Sequence, residues 1–336
     1  MRIFASFLAL CCFGCGSTTW IREGYVAQIR RADPEIPPED PAYGRIVQIQ
    51  WLGVAGYLIS LDGHGVLLAP FYSKQSMVKV GLGSLEVRTD LIDRKLPPVE
   101  HVEAILVGHA HYDHLLDVPH IATRHATKAT VYGSSTTMNI LAGFGIPEER
   151  KKEAPLDQWT YTASRRIRFA AFRSEHAPHV GRIIHFWSGE VSKPLTQPPR
   201  YAREFQEGIP LSYLIEFLDA QEKPVFTIFF QDSASTGGVG APTLPHRETD
   251  VAILTVPNWR NVDNYPRDIL SRLRPRHILC GHFDDFFQDP EEEMEFLFHD
   301  GTEEFLKETQ KILDEFRIPA VIHFPSLDAR MNFRLE

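Results

Sequence analysis

Cysteine is scarce in this chain, and its placement limits what it can do. Four cysteines occur among 336 residues, and Cys11, Cys12 and Cys15 all fall at the extreme N-terminus. Only Cys280 lies beyond them, so no disulfide framework is available and stability must come from a packed core. Cys280 closes the apolar stretch His277-Ile278-Leu279-Cys280, which reads as a buried strand with an inert, packed thiol. Positive charge is also in deficit. A formal net charge of −9 argues against a nucleic-acid partner, which wants a basic face to neutralise phosphates. Long apolar runs are missing as well: the stretch from Ile3 to Phe13 is too short to span a bilayer as a stable helix. There is no internal repeat and no low-complexity tract.

The N-terminus carries instead the parts of an export signal. Arg2 supplies the positive start, an apolar stretch follows, and Gly14-Cys15 is a small residue before a cysteine. The pattern resembles a bacterial lipoprotein signal. Residues 1–14 are then a signal peptide and Cys15 a lipidated N-terminus, a plain secretory signal or uncleaved anchor being the alternatives. Leu10 and Cys11 make Cys11 and Cys12 poorer cleavage matches than Cys15. Pro34, Pro37, Pro38 and Pro41 give residues 15–44 the composition of an extended, semi-rigid spacer. The expected location is the bacterial cell envelope, facing the periplasm or exterior. Residues 45–336 form one domain, long enough for a large core at 43% apolar content overall.

Within that domain the stretch His109-Ala110-His111-Tyr112-Asp113-His114 stands out. It follows the apolar run Ala104-Ile105-Leu106-Val107, a strand too short for a helix and bounded by Gly108. Side chains in a loop at a strand's end are held in place by a rigid sheet. A lone loop histidine is usually solvated, but three interleaved with an aspartate suit a metal. Zinc accepts imidazoles with a carboxylate, and iron and manganese tolerate them. Close spacing pairs His109 with His111 on one ion and Asp113 with His114 on another.

Strands are expected at Ile46 to Trp51, Tyr57 to Leu61 and Val66 to Leu68, with Asp62-Gly63 turning a hairpin. Further strands are read at Val131-Tyr132, Arg166 to Phe172, Gly181 to Trp187, Leu211 to Leu218, Pro224 to Phe230, Val251 to Val256 and Ile278 to Cys280. Helices are expected from an Asp117 cap to about His125, from Ser135 to Leu141 and from Tyr265 to Leu273. Phe305, Leu306, Ile312, Leu313 and Phe316 have the spacing of another helix's core stripe. Residues 71–98 read as a lid or surface excursion, and 188–208 as a second insertion. His120 and His125 read as surface or supporting residues. Asp284 and Asp285 are candidates for orienting an imidazole.

The motif His109-x-His111-x-Asp113-His114 resembles the signature of the metallo-β-lactamase superfamily. That resemblance implies an α/β fold, a four-layer αββα sandwich with a dinuclear site at one edge of its two sheets. It also implies the remaining ligands by position: His176 after a strand, with His179 as rival, then Asp232 in Gln231-Asp232-Ser233, and His282 in Gly281-His282. His109, His111 and His176 would hold one metal, and Asp113, His114 and His282 the other. Asp232 would bridge, and Asp113 would also orient the water. Two divalent ions, zinc first with manganese or iron possible, lower the pKa of a shared water to roughly 7 and so supply hydroxide. Trp51-Leu52-Gly53 is similar to the opening of N-acyl-phosphatidylethanolamine phospholipase D and of ascorbate-6-phosphate lactonases. Those relatives continue with His-Ala, where this chain has Val54-Ala55. They later carry Asp-Pro, where this chain has Ala69-Pro70, and a glycine where Gln231 stands. A small or lipid-derived phosphodiester is the expected substrate. A lactone or other ester is the alternative, and a metal-binding envelope protein with little catalysis the reading of a different class.

Overall fold

The computed structural model describes residues 45–244, 248–297 and 301–335. The signal peptide, Cys15 and the whole of the spacer lie outside the described residues. Alternation builds the opening: in β1 (Ile46–Gly53), Val47, Ile49 and Trp51 are fully buried. β2 (Gly56–Leu61) and β3 (His64–Leu68) form the expected hairpin. Its two turn residues, Asp62 and Gly63, have φ of 52° and 77°, the positive values a tight two-residue hairpin demands.

The chain then leaves the sheet for residues 69–101, which are not a bare loop. They hold α1 (Met77–Leu82) and α2 (Thr89–Lys95), and Val80, Leu85, Leu91 and Ile92 join the core. β4 (Val102–Leu106) returns to the sheet and feeds the histidine motif, whose second half coils into the short helix α3 (Tyr112–Leu115). After it come α4 (Val118–Arg124), β5 (Thr130–Gly133), α5 (Ser135–Gly143) and β6 (Lys151–Glu153).

β7 (Trp159–Tyr161), β8 (Ile167–Arg173), β9 (Leu211–Leu218) and β10 (Pro224–Gln231) make an antiparallel meander. β11 (Val251–Thr255), α6 (Arg267–Leu273), β12 (His277–Gly281), α7 (Thr302–Phe316) and β13 (Val321–His323) follow in parallel crossovers. The last strand, β14 (Arg330–Arg334), returns to pair antiparallel with β1.

Two seven-stranded mixed sheets result, ordered β14-β1-β2-β3-β4-β5-β6 and β13-β12-β11-β10-β9-β8-β7. Every residue of β9 and β11 is buried, as strands covered on both faces must be. Apolar residues of α1, α2, α4 and α5 pack with Leu58, Leu67, Ile105 and Val131 of the first sheet. Phe305, Ile312 and Leu313 are the buried stripe of α7, which packs beside α6. This is the expected αββα sandwich.

Two local expectations need correcting. Residues 181–187 are not a strand: Gly181 takes φ of 58° and the chain folds back in a single bridge between Val180 and Ile184. Asp117 does not cap α4. It is already αR, and its carboxylate instead accepts the backbone N–H groups of Tyr72 at 2.5 Å and Ser73 at 2.9 Å. Among the described residues no helix is long and apolar enough to cross a membrane.

Candidate metal centre

Four strand ends deliver the candidate ligands. β4 runs into Val107-Gly108 and then His109, His111, Asp113 and His114; β8 leads to His176, β10 to Asp232 and β12 to His282. The seven residues picked from sequence come together in three overlapping groups. These are His109-His111-His176, His109-His114-Asp232 and Asp113-His114-His282, with donor atoms within 4.8 Å inside each group. Asp232 joins the halves: its Oδ1 lies 3.1 Å from His109 Nδ1 and its Oδ2 3.3 Å from His114 Nδ1. Asp113 Oδ2 lies 3.2 Å from His282 Nε2 and 3.4 Å from His114 Nε2.

The arrangement fits cations. Among the described residues, buried His109 Nε2, His111 Nε2 and His282 Nδ1 have no hydrogen-bond partner, and His114 Nδ1 and Asp232 Oδ2 face each other at 3.3 Å as an ion pair without hydrogen-bond geometry. Leaving such atoms unpaired costs about 1–3 kcal/mol each, and coordination removes that cost. Space is reserved as well. A Cβ on Gly108 would sit 2.3 Å from both Asp232 carboxylate oxygens, so only glycine lets the acid approach the motif.

The two later histidines differ in their hydrogen bonds. His176 Nδ1 donates to the Ala177 carbonyl at 2.7 Å, which frees Nε2 as a lone pair, and its ring lies 4.7 Å from His109 and 4.9 Å from His111. His179 Nδ1 instead accepts the Phe186 N–H at 3.1 Å, which puts the proton of the neutral ring on Nε2. It stacks on His176 at 4.6 Å and joins none of the three donor groups.

Electrostatics divide the imidazoles. Burial, with neighbouring rings, pulls His109, His111 and His176 below the usual histidine range. Burial also opposes charge on His114, yet Asp113 and Asp232 outweigh it and carry that ring up to about 10. The same contacts hold Asp113 and Asp232 well below the usual carboxylate range against the cost of burial.

The loops are braced by groups whose roles sequence did not reveal. Tyr213 Oη donates to the Val107 carbonyl and Tyr57 Oη to the Cys280 carbonyl, each at 2.9 Å. Each bond crosses between sheets and anchors the backbone two residues before a candidate ligand, His109 or His282. Val54, at φ of 50°, is an outlier for a β-branched residue. Its carbonyl accepts the His282 N–H at 2.7 Å and its N–H donates to Asp284 at 2.9 Å. Asp284 pairs at 2.7 Å with buried Lys74, so it positions backbone rather than an imidazole. Asp285 receives the Phe287 N–H at 2.8 Å and among the described residues likewise makes no imidazole hydrogen bond. Ala69 has no polar side chain with which to brace the motif, whereas buried Asp117, three residues after His114, accepts the N–H groups of Tyr72 and Ser73. Gln231 does not crowd its turn: its Nε2 donates to Ser174 and Ser235 Oγ at 2.6 and 2.9 Å.

Aromatic rings that sequence reasoning passed over pack against the candidate histidines. Trp187 meets His111 at 6.0 Å, Phe186 meets His179 at 5.2 Å and Phe286 meets His282 at 4.9 Å. Glu207 also faces inward, its oxygen within 4.8 Å of donor atoms of His176 and His185, and burial pushes its carboxyl up to about 7. Trp187 and Glu207 are tied by one backbone bond, Glu207 N–H to Trp187 carbonyl at 3.0 Å. Glu207 comes from a connection without periodicity, and Trp187 ended a stretch that read as a strand, so no sequence signal marked either for the site.

Residues 84–192 match the family described as the beta-lactamase superfamily domain. A metal-dependent hydrolase of Cupriavidus taiwanensis is 31% identical over 115 residues, which is 34% of this chain. The match spans 35% of that relative's length. A metallo hydrolase from Ignicoccus hospitalis superposes with a TM-score of 0.53 at 14% identity, covering 87% of this chain and 100% of the other. A possible metal-dependent hydrolase from Veillonella parvula gives 0.52 at 14%, covering 86% and 100%. The chain has the metallo-β-lactamase fold. By local sequence it is similar to that superfamily's metal-dependent hydrolases.

Proposed function

We propose that the protein is a metal-dependent hydrolase with a dinuclear centre, acting on a small or lipid-derived phosphodiester. The observation that carries this reading is the overlap of the three donor groups through Asp232, with inward-facing atoms left unpaired. His109, His111 and His176 would hold one divalent ion and Asp113, His114 and His282 another, with Asp232 shared. Such ions, zinc foremost, would lower the pKa of a shared water and stabilise the charge of both attacking and departing oxygens. The chain's own part is to orient and exclude. Asp113, kept ionised beside His114 and His282, can accept a hydrogen bond from the attacking water. His179 Nε2–H is available to donate to a substrate oxygen. Phe186, Trp187 and Phe286, packed against His179, His111 and His282, put apolar surface beside the centre, which supports a lipid-derived substrate.

The test compares kcat/KM for bis-p-nitrophenyl phosphate with that for an alkyl or aryl lactone, under zinc and under manganese. Phosphodiester cleavage that vanishes with chelator and returns with metal is the expected result. Lactone turnover with no phosphodiester cleavage would transfer the proposal to the ester branch, and no turnover of either would leave a metal-binding protein. A lipid on Cys15 would tether this activity to the envelope. Wild-type protein should then partition into detergent, whereas Cys15→Ser should not mature.

A further inference from the structure

His120 and His125 lie outside the central site yet converge on a single point of their own. Asp93 of α2 reaches across to α4, and its Oδ1 meets His120 Nε2 and His125 Nε2, each at 2.7 Å. All three donor atoms lie within 4.8 Å of one another. The convergence is not a by-product of helix spacing. Residues five apart on an unbroken helix point about 140° away from each other. Here α4 stops at Arg124, and His125 at its C-cap, with φ of −116° and ψ of −60°, turns its ring back beside that of His120. The rings stand 5.6 Å apart at 62°, edge to face, with the same nitrogen of each aimed at one carboxylate oxygen. That helix end is held by Arg150, which donates to the carbonyls of Ala122, Ala126 and Ala129.

We propose that Asp93, His120 and His125 form a second, peripheral binding site for a divalent transition metal, with zinc the best fit. Two imidazole nitrogens and one carboxylate oxygen are a donor set zinc accepts, and water completes a tetrahedron. In the metal-free state two imidazole N–H protons occupy the place of the ion. Bonds of about 2.0–2.1 Å to a tetrahedral centre separate donors by roughly 3.3 Å. The 2.7 Å contacts therefore have to open by only about 0.6 Å. The Asp93 side chain is 53% exposed, against 17% and 27% for the histidines, so it can swing while the rings stay packed. Its exposure also leaves solvent access for the fourth ligand. Occupancy would pin α2, in the connection between β3 and β4, to α4, the helix that follows directly on the turn carrying Asp113 and His114.

The test uses the full chain, stripped with chelator and titrated with zinc against a chromophoric competitor. Wild type is compared with His120→Ala/His125→Ala and with Asp93→Asn. The asparagine keeps an oxygen to accept both imidazole N–H groups, so it removes the anionic ligand without removing the hydrogen bonds. Wild type is expected to bind one zinc equivalent more than either variant. It should also show a zinc-dependent rise in Tm of roughly 2–4 °C that both variants lack. Equal stoichiometry and equal Tm response in all three proteins would overturn the site. Only the difference between proteins is read, so the result does not depend on how many ions the central site holds.

Discussion

Gly108 carries much of the site although it supplies no donor atom. Its missing side chain is the volume into which Asp232 fits, and the acid's two oxygens reach His109 and His114 through that gap. Gly108→Ala should therefore displace Asp232 and cost at least one metal equivalent by elemental analysis, while the helices and strands remain by circular dichroism. Retention of the full metal content would mean that the backbone yields more easily than a 2.3 Å contact allows. His114 offers a second residue-scale test. In the metal-free protein the ring, raised to about 10, keeps its proton at pH 8, whereas His109, His111 and His176 are already neutral there. Zinc binding at pH 8 should then release about one proton per chain from an imidazole, read by calorimetry in buffers of different ionisation heat. The sign also follows for stability. A raised histidine stabilises the metal-free fold below its ordinary value of about 6.5 and loses that contribution as pH climbs towards 10. The three depressed histidines act oppositely, weakening the fold as pH falls below about 6.5.

Among the elements, legibility tracked periodicity and punctuation. The strand before Gly108 and the hairpin at Asp62-Gly63 could be read because apolar runs ended in residues with specific backbone uses. The donor residues could be nominated because they sit at strand ends in the order the family resemblance implies. What failed had no such signal. β6, β7 and β13 are only three residues long, and β14 has just two buried residues, Met331 and Phe333, on an edge strand. The helices of residues 69–101 bury too few side chains to show a stripe, and residues 181–187 looked like a strand only because apolar residues happened to cluster beside a turn. Tertiary braces were invisible for a different reason: a buried tyrosine in a strand pattern looks like core. Tyr213→Phe tests whether its hydroxyl is more than that. Loss of its bond leaves the Val107 carbonyl unpaired, so the fold should weaken by about 1–3 kcal/mol in chemical denaturation, and zinc affinity should fall with it. A change below about 0.5 kcal/mol, the level of an ordinary surface substitution, would show that the carbonyl finds another partner.

For the whole molecule, the centre is where the two sheets are stitched together. Its donors span His109 to His282 in sequence, with four from the loop after β4 in the first sheet and three from the ends of β8, β10 and β12 in the second. Cross-sheet bonds repeat the pattern, with Leu211 N–H donating to the Gly108 carbonyl at 2.7 Å beside the two tyrosine ties. Bound ions would thus join the halves of the sandwich, and binding that favours the folded state adds directly to global stability. Each tenfold excess of free metal over its dissociation constant is worth about 1.4 kcal/mol by that relation. Reconstituted protein should hold two ions at the central site, counted in a chain carrying Asp93→Asn to exclude the peripheral cluster, and should melt well above its chelated form. Asp232→Ala in that background should lower both numbers, because the residue it removes touches both halves of the donor set. Saturation at a single ion, unchanged by Asp232→Ala, would reduce the centre to a mononuclear one. The role of Asp232 would then be to hold His109 and His114 in place rather than to bridge.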